Sequence, residues 1–330
     1  MYLLITVITL IFGPWSSAFS APYAAVVMDA RTGKVYHSRN ADTRLHPASL
    51  TKMMTLYIAF QAIERKEISL DTYVTISANA AAEPASKLWL KKGQRIKLRY
   101  LIRAASIKSA NDAATAIGEA ISGSEAAFGK RMTRTARALG MDRTTFKNAH
   151  GLTRSGHLST ARDMSILGRH MVYDYPQYYN LFSRRSATAR VATVRNTNRR
   201  LLNSYRGADG IKTGYTRAAG SNLVASAERG GERIIATMFG GTSSAARNAR
   251  VVKLLDMGFA RAPATAKLLK PALPNYEFEA NTRNKRVTAV TKSLRPETRA
   301  IEKTESSAEI TIAQAPSLKT QPDDILRALK

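Results

Sequence analysis

The chain of 330 residues contains no cysteine. That excludes a disulfide framework, a thiolate metal site and a lipid-modified amino-terminal cysteine; it leaves the redox compartment open, because export permits disulfides without requiring them. The five histidines form no His-x-x-x-His pair and the acidic residues are scattered, so no spacing announces a metal site. After the first twenty residues no apolar run approaches the length of a membrane span. Acidic residues are also scarce: 24 Asp and Glu stand against 51 Lys and Arg, a net charge of +27. Residues 264–330 hold 12 Lys and Arg against 8 Asp and Glu, so the excess belongs mainly to the rest of the chain. Such a balance ordinarily raises nucleic-acid binding.

What is present at the amino terminus argues against that. "MYLLITVITLIFGPWSSAFS" has an apolar run from Leu3 to Phe12, a break at Pro14 and small residues around Ala18 and Ser20. This is the layout of a secretory signal over residues 1–20, cleaved near Ser20 or Ala21, and the run is short for a transmembrane helix. The usual basic residues ahead of it are missing, which keeps an uncleaved anchor as the alternative. An exported basic protein meets anionic wall polymers instead of nucleic acid, and a solvated basic surface is the plainer reading of the same charge. No cofactor is implied.

With 44% hydrophobic residues the chain can bury a substantial core, expected over residues 21–262. "AAVVMDARTGKVYHS" predicts two short strands around a turn at Arg31 to Lys34. Apolar residues from Met53 to Ile63 are dense enough for a mostly buried helix ending near Arg65, with Ser49 at its start. A second helical stretch, Leu98 to Ile121, is interrupted by the polar "KSANDA". Further helices are expected from Ser124 to Leu139, from Thr160 onward and from Ser244 to Met257. "DGIKTGYT", "SNLVASAE" and "ERIIATMFG" predict an antiparallel meander, so the fold class is α+β with a sheet joining early and late parts of the chain. Residues 263–330 lose periodicity and predict a basic linker or disordered tail, with one short helix at "PDDILRALK".

Ser49 is the only serine with a lysine three positions later. On a helix, i and i+3 share a face, so Lys52 can approach the Ser49 hydroxyl and act as the base that a serine nucleophile needs. Alone, the spacing equally fits a capping serine with a snorkelling lysine. Ser109-Ala110-Asn111 interrupts an apolar helical stretch, where buried polar groups need partners. There Ser109 can relay a proton and Asn111 can hold Lys52 and a carbonyl. Lys212-Thr213-Gly214 lies on an expected strand; Lys212 supplies a second cation, Thr213 a carboxylate donor, and Gly214 close backbone approach. His150, His157 and Asp163 do not form a Ser-His-Asp triad in this reading but stabilise the loop beneath the cleft.

Together, in this order, the three elements are the Ser-x-x-Lys, Ser-x-Asn, Lys-Thr-Gly signature of penicillin-binding proteins and class A β-lactamases. With "FKNAHGL", "HLSTARDM" and the sequence around "DGIKTGYT", residues 22–262 resemble the low-molecular-mass penicillin-binding proteins of the serine D-Ala-D-Ala carboxypeptidase group. The resemblance implies a β-lactamase/transpeptidase-like fold, an α/β sandwich with a helical lobe carrying Ser109 and a cleft between. It implies attack by Ser49 on the D-Ala-D-Ala carbonyl of peptidoglycan stem peptides, and acylation of Ser49 by β-lactams. Backbone N–H groups of Ser49 and Tyr215 would form the oxyanion hole; Arg247 matches the family's carboxylate-binding arginine. Position 215 is Tyr where many relatives have His, a change a backbone donor tolerates. The alternatives are a D,D-endopeptidase of the same family, a β-lactamase, for which no deacylating Glu is apparent, and a non-catalytic wall-binding module. The carboxy-terminal β-domain of several relatives is not evident in the sequence.

Overall fold

The computed structural model describes residues 21–274 and 276. Its strands are β1 (Ala24–Asp29), β2 (Val35–Arg39), β3 (Tyr73–Thr75), β4 (Arg95–Lys97), β5 (Ser186–Thr188), β6 (Thr193–Arg195), β7 (Ala208–Thr216), β8 (Gly220–Arg229) and β9 (Glu232–Gly241). Its helices are α1 (Thr51–Glu64), α2 (Ala78–Ala82), α3 (Leu98–Arg103), α4 (Asn111–Ser122), α5 (Glu125–Ala138), α6 (Ala161–Tyr173), α7 (Pro176–Tyr179), α8 (Arg199–Ser204) and α9 (Ser244–Arg261).

Five strands form one antiparallel sheet in the order β2-β1-β9-β8-β7. The early hairpin therefore joins the late meander, as the α+β expectation requires, and β7 is left as an outer strand. Period-2 alternation sorts the side chains. On β1, Ala25 and Val27 enter a cluster with Val251, Leu254 and Leu255 of α9, while Val26 and Met28 face the larger core with α1 and α6. Helix α9 starts at Ser243, whose Oγ accepts the Ala246 N–H at 3.1 Å. It approaches the sheet through Gly258, where an added Cβ would stand 2.4 Å from Ile234 Cγ2 and 2.9 Å from Val27 Cγ1.

Helix α1 is buried at every position from Thr51 to Ala62. A helix without a wet face belongs in the middle of a core, and α4, α5 and α6 pack around it. The stretch from Leu98 to Ile121 is divided as its polar interruption suggested: α3, a π-helical turn over Ala104–Lys108, and α4. Ser109 sits at the break in a left-handed conformation, φ 66° and ψ 33°. Two small ribbons, β3–β4 and β5–β6, were not anticipated, because three-residue strands carry too little pattern to register.

Past α9 the chain runs along the body. Arg31 Nη2 donates to Pro263 O at 2.8 Å, Leu269 N–H to Arg31 O at 2.9 Å, and Gln61 Nε2 to Tyr276 Oη at 2.8 Å. This stretch was expected to belong to the tail. The signal read in residues 1–20, most of the tail and the short helix at "PDDILRALK" lie outside the described residues. Among the described residues, no helix is long and apolar enough to cross a membrane.

Candidate active site

Ser49 lies in a single 3-10 turn, Ala48–Leu50, directly ahead of α1. Lys52 Nζ, one helical turn on, is 3.0 Å from Ser49 Oγ, 2.7 Å from Asn111 Oδ1 and 2.8 Å from His150 O. The two carbonyl oxygens can only accept. When Lys52 is neutral, its two N–H bonds go to them and its lone pair faces the Ser49 hydroxyl. Burial first, and the nearby Lys212 charge second, hold the Lys52 amine well below the ordinary lysine range. Glu83 and Asp112 pull the other way without overcoming those effects.

Lys212, on β7, donates to Ser109 Oγ and to Thr213 O, both at 2.9 Å. Its side chain is fully buried, and burial followed by the Arg247 charge pushes its amine down to about 7. The left-handed turn at Ser109 aims its hydroxyl toward β7, while Asn111, the first residue of α4, reaches Lys52. Asn111 Nδ2 donates to Pro84 O at 2.8 Å, fixing which end of the amide faces Lys52.

Gly214 lets β7 pass close to the serine turn: an added Cβ would lie 2.9 Å from Pro47 O and 3.1 Å from Ser49 N. Asn222 on β8 secures the approach by donating to His46 O at 3.0 Å. Thr213 Oγ1 donates to Thr197 Oγ1 at 2.7 Å. Arg247, in the first turn of α9, is 5% exposed and donates through Nε and Nη2 to Asn248 Oδ1 at 3.1 and 2.9 Å. Ser49, Ser109, Asn111, Thr213, Gly214, Tyr215 and Arg247 all line one cleft of about 540 Å³, and Lys52 and Lys212 lie just beneath it. Every residue given a catalytic or substrate-binding role from the sequence thus lies in or just beneath this one cleft. A hydroxyl beside a deprotonatable amine, with an arginine and two hydroxyls at the far end, is suited to acyl transfer on a peptide ending in a carboxylate.

The supporting residues were less legible. Asp112, fully buried, accepts the Leu88 N–H at 2.9 Å and the Leu90 N–H at 3.2 Å, and so carries the 84–90 loop on α4. Glu83, Glu125 and His150 cluster behind Lys52, His150 Nε2 standing 3.2 Å from each carboxylate. His150 Nδ1 accepts the Leu152 N–H, which puts the ring proton on Nε2 between those carboxylates. His157 Nδ1 accepts the Lys147 N–H, leaving Nε2 to donate to Thr51 Oγ1 at 2.8 Å. Asp163 Oδ2 accepts from Thr144 Oγ1 at 2.6 Å. His157 and Asp163 therefore hold the loop under α1, and neither contacts Ser49 Oγ. Gly151 closes that loop at φ 90°, where a Cβ would fall 1.8 Å from Ala48 O. Glu83, Glu125 and Thr197 carried no sequence signal, because their positions are set by tertiary contacts. Asp112 had one, an acid next to Asn111 in an alanine-rich helix.

The family described as Peptidase S11, D-alanyl-D-alanine carboxypeptidase, matches residues 16–243. The chain belongs to this D-alanyl-D-alanine carboxypeptidase family. It is 38% identical over 243 residues to D-alanyl-D-alanine carboxypeptidase DacF of Bacillus subtilis (strain 168), covering 72% of this chain and 62% of that protein. It is 38% identical over 242 residues to DacC of Escherichia coli (strain K12), covering 72% and 60%. The chain thus spans about three-fifths of the length of these curated relatives. Penicillin-binding protein D2 of Listeria monocytogenes in its ampicillin-bound form superposes with a TM-score of 0.66 at 33% identity, covering 72% of this chain and 96% of that one. DacD of Francisella tularensis gives a TM-score of 0.69 at 34% identity, covering 72% and 70%. The antiparallel sheet flanked by helices is the penicillin-binding protein fold of these family members.

Proposed function

We propose that the chain is an exported serine D-alanyl-D-alanine carboxypeptidase acting on peptidoglycan stem peptides. The observation that carries this is the position of Lys52 Nζ, 3.0 Å from Ser49 Oγ with two carbonyl acceptors committing its remaining valences. Ser49 is the nucleophile and Lys52 the general base. As Ser49 Oγ attacks the carbonyl between the two D-Ala residues, its proton passes to Lys52 Nζ. The developing oxyanion lies between the Ser49 N–H, at the start of α1, and the Tyr215 N–H on the outer strand β7. Removing one such donor typically costs ~3 kcal/mol of transition-state stabilisation.

The proton taken by Lys52 passes on through the Ser109 hydroxyl, which is bonded to Lys212 Nζ, to the departing amine. Thr213 and Arg247 receive the terminal carboxylate; a guanidinium offers the two parallel donors that a carboxylate accepts. The C–N bond breaks, D-Ala departs, and water attacks the ester on Ser49, its proton passing to Lys52 and from there to Ser49 Oγ as the ester C–O bond breaks. A β-lactam presents a strained amide and a carboxylate to the same groups. The ampicillin complex of the Listeria protein supports this inhibitor class.

The test is labelling of the protein with a fluorescent penicillin, mass spectrometry of the labelled peptide, and D-Ala release from a pentapeptide. The expected result is an adduct on Ser49 and a fall of at least about 10⁴-fold in D-Ala release for Ser49→Ala. An adduct elsewhere, or release that survives the substitution, overturns the reading.

A further inference from the structure

Lys52 can take a proton only while its lone pair, and not an N–H, faces Ser49 Oγ, and that direction is decided by the two carbonyl oxygens that receive its N–H bonds. These are Asn111 Oδ1 at 2.7 Å and His150 O at 2.8 Å. Each acceptor is held in turn by something behind it. Asn111 Nδ2 donates to Pro84 O at 2.8 Å, and the Asn111 N–H to Ser86 O at 2.7 Å. The His150 ring directs Nε2 at Glu83 Oε1, 3.2 Å away. Both acceptors are therefore tied to one point of the chain, the Glu83-Pro84 step that ends α2.

Glu83 is 8% exposed and does not line the cleft. Its Oε1 also accepts from Thr115 Oγ1 of α4 at 2.8 Å, so the carboxylate is fixed from two sides. Glu125, the first residue of α5, completes the grip: its Oε1 stands 3.2 Å from His150 Nε2 and accepts the Ala149 N–H at 3.3 Å. Two desolvated carboxylates around one imidazole are a costly way to hold a loop, which apolar contacts would hold at less cost. What they add is direction, and negative charge behind Lys52. The other titratable groups facing this cluster are Lys212 from β7, Asp112 from α4, and Arg154 and His157 from the loop of His150. Burial and the Lys212 charge hold the Lys52 amine down, while Glu83, ahead of Asp112, draws it up.

We propose that Glu83, assisted by Glu125, is a positioning residue for the acyl transfer: through His150 and Pro84 it fixes both carbonyls that aim the Lys52 lone pair at Ser49, and it places an anion behind the amine. It touches neither the substrate nor the reacting atoms, and it belongs to none of the three motifs. This deepens the proposed carboxypeptidase reading and rests on it.

The test follows penicillin acylation of Ser49 against pH, with kcat and KM for D-Ala release from a pentapeptide, in the wild type, Glu83→Gln and Glu83→Ala, each checked for folding by thermal denaturation. Acylation needs a neutral Lys52, so its rate climbs with pH along an acid limb that belongs to the coupled Lys52 and Lys212 amines. Removing the anion favours the neutral amine, so both variants are expected to move the limb to lower pH by about half a unit or more. Above the limb, Glu83→Gln keeps an acceptor for His150 and is expected to stay within about threefold of the wild type. Glu83→Ala is expected to lose about tenfold or more in kcat with KM within about twofold, because the base is misaimed and the substrate untouched. A carboxylate that merely held the fold would lower the amount of active protein and leave the limb in place. An unmoved limb in both variants overturns the proposal, and so does a loss carried by KM. Failure of the wild type to take penicillin on Ser49 would instead overturn the carboxypeptidase reading itself.

Discussion

The two faces of the central sheet are built on different rules. On the α9 face the buried cluster is apolar, with Val27, Leu223, Ile234, Val251 and Leu255 in contact and Gly258 allowing close approach. On the opposite face the core also contains Thr51, Lys52, Thr55, Asn111, Asp112, Asn148, His150, His157 and Asp163, all buried and hydrogen-bonded. Desolvated polar groups must be paired, and the pairing fixes their geometry. One face supplies cohesion; the other gives up some cohesion for a fixed arrangement of charge.

The sharpest way to break this contrast is at Lys212. An unfolded lysine titrates near 10.5, whereas burial holds Lys212 near 7, so below that window the folded state must carry a buried cation. Stability contributed by this group therefore rises with pH between about 7 and 10.5, up to about 1.4 kcal/mol per pH unit. Lys212→Met should lower acylation by penicillin at least about 10²-fold while raising stability at pH 7 by about 1–3 kcal/mol and flattening that pH slope, as measured by denaturation at several pH values. A less stable variant at pH 7 would contradict it.

Next in size is a substitution on the other face. Leu255→Ala should cost about 2–5 kcal/mol of unfolding free energy and leave the penicillin acylation rate of the folded protein within about twofold. Coupled loss of rate and stability would mean that the two faces are not separable.

The smallest effect expected is at His157. Burial, with His150 adding to it, depresses this ring from 6.5 to about 3. The stability it contributes is present above 6.5 and is lost as pH falls from there toward 3. His157→Gln should remove about one proton from the pH dependence of unfolding in that window while keeping the hydrogen bond to Thr51; an unchanged slope would place the proton elsewhere.

This contrast also decided what could be read in advance. Strands β7 to β9 and helix α9 follow from alternation and spacing, since an apolar face is a local pattern. The three motifs were legible because Ser49 with Lys52 and Ser109 with Asn111 lie close in sequence. Glu83, Glu125 and Thr197 were not, because they converge from separate loops and helices on partners 16 to 67 residues away, such as Glu83 on His150 and Thr197 on Thr213. Helix α9 ran to Arg261 instead of ending at Met257, since Phe259 still packs on the sheet cluster.

Under the proposed acylation of Ser49 by β-lactams, Gly151 has a consequence for surveillance of susceptibility. It belongs to none of the three motifs, yet an added Cβ there would stand 1.8 Å from Ala48 O, one residue ahead of Ser49, and 2.7 Å from Thr51 Oγ1. A variant at this position would keep Ser49, Lys52, Ser109, Asn111, Lys212 and Thr213 in its gene, and a motif scan would score it as intact. The drug would nevertheless meet a displaced serine, so inspection of the motifs alone would report a functional target where none was being captured.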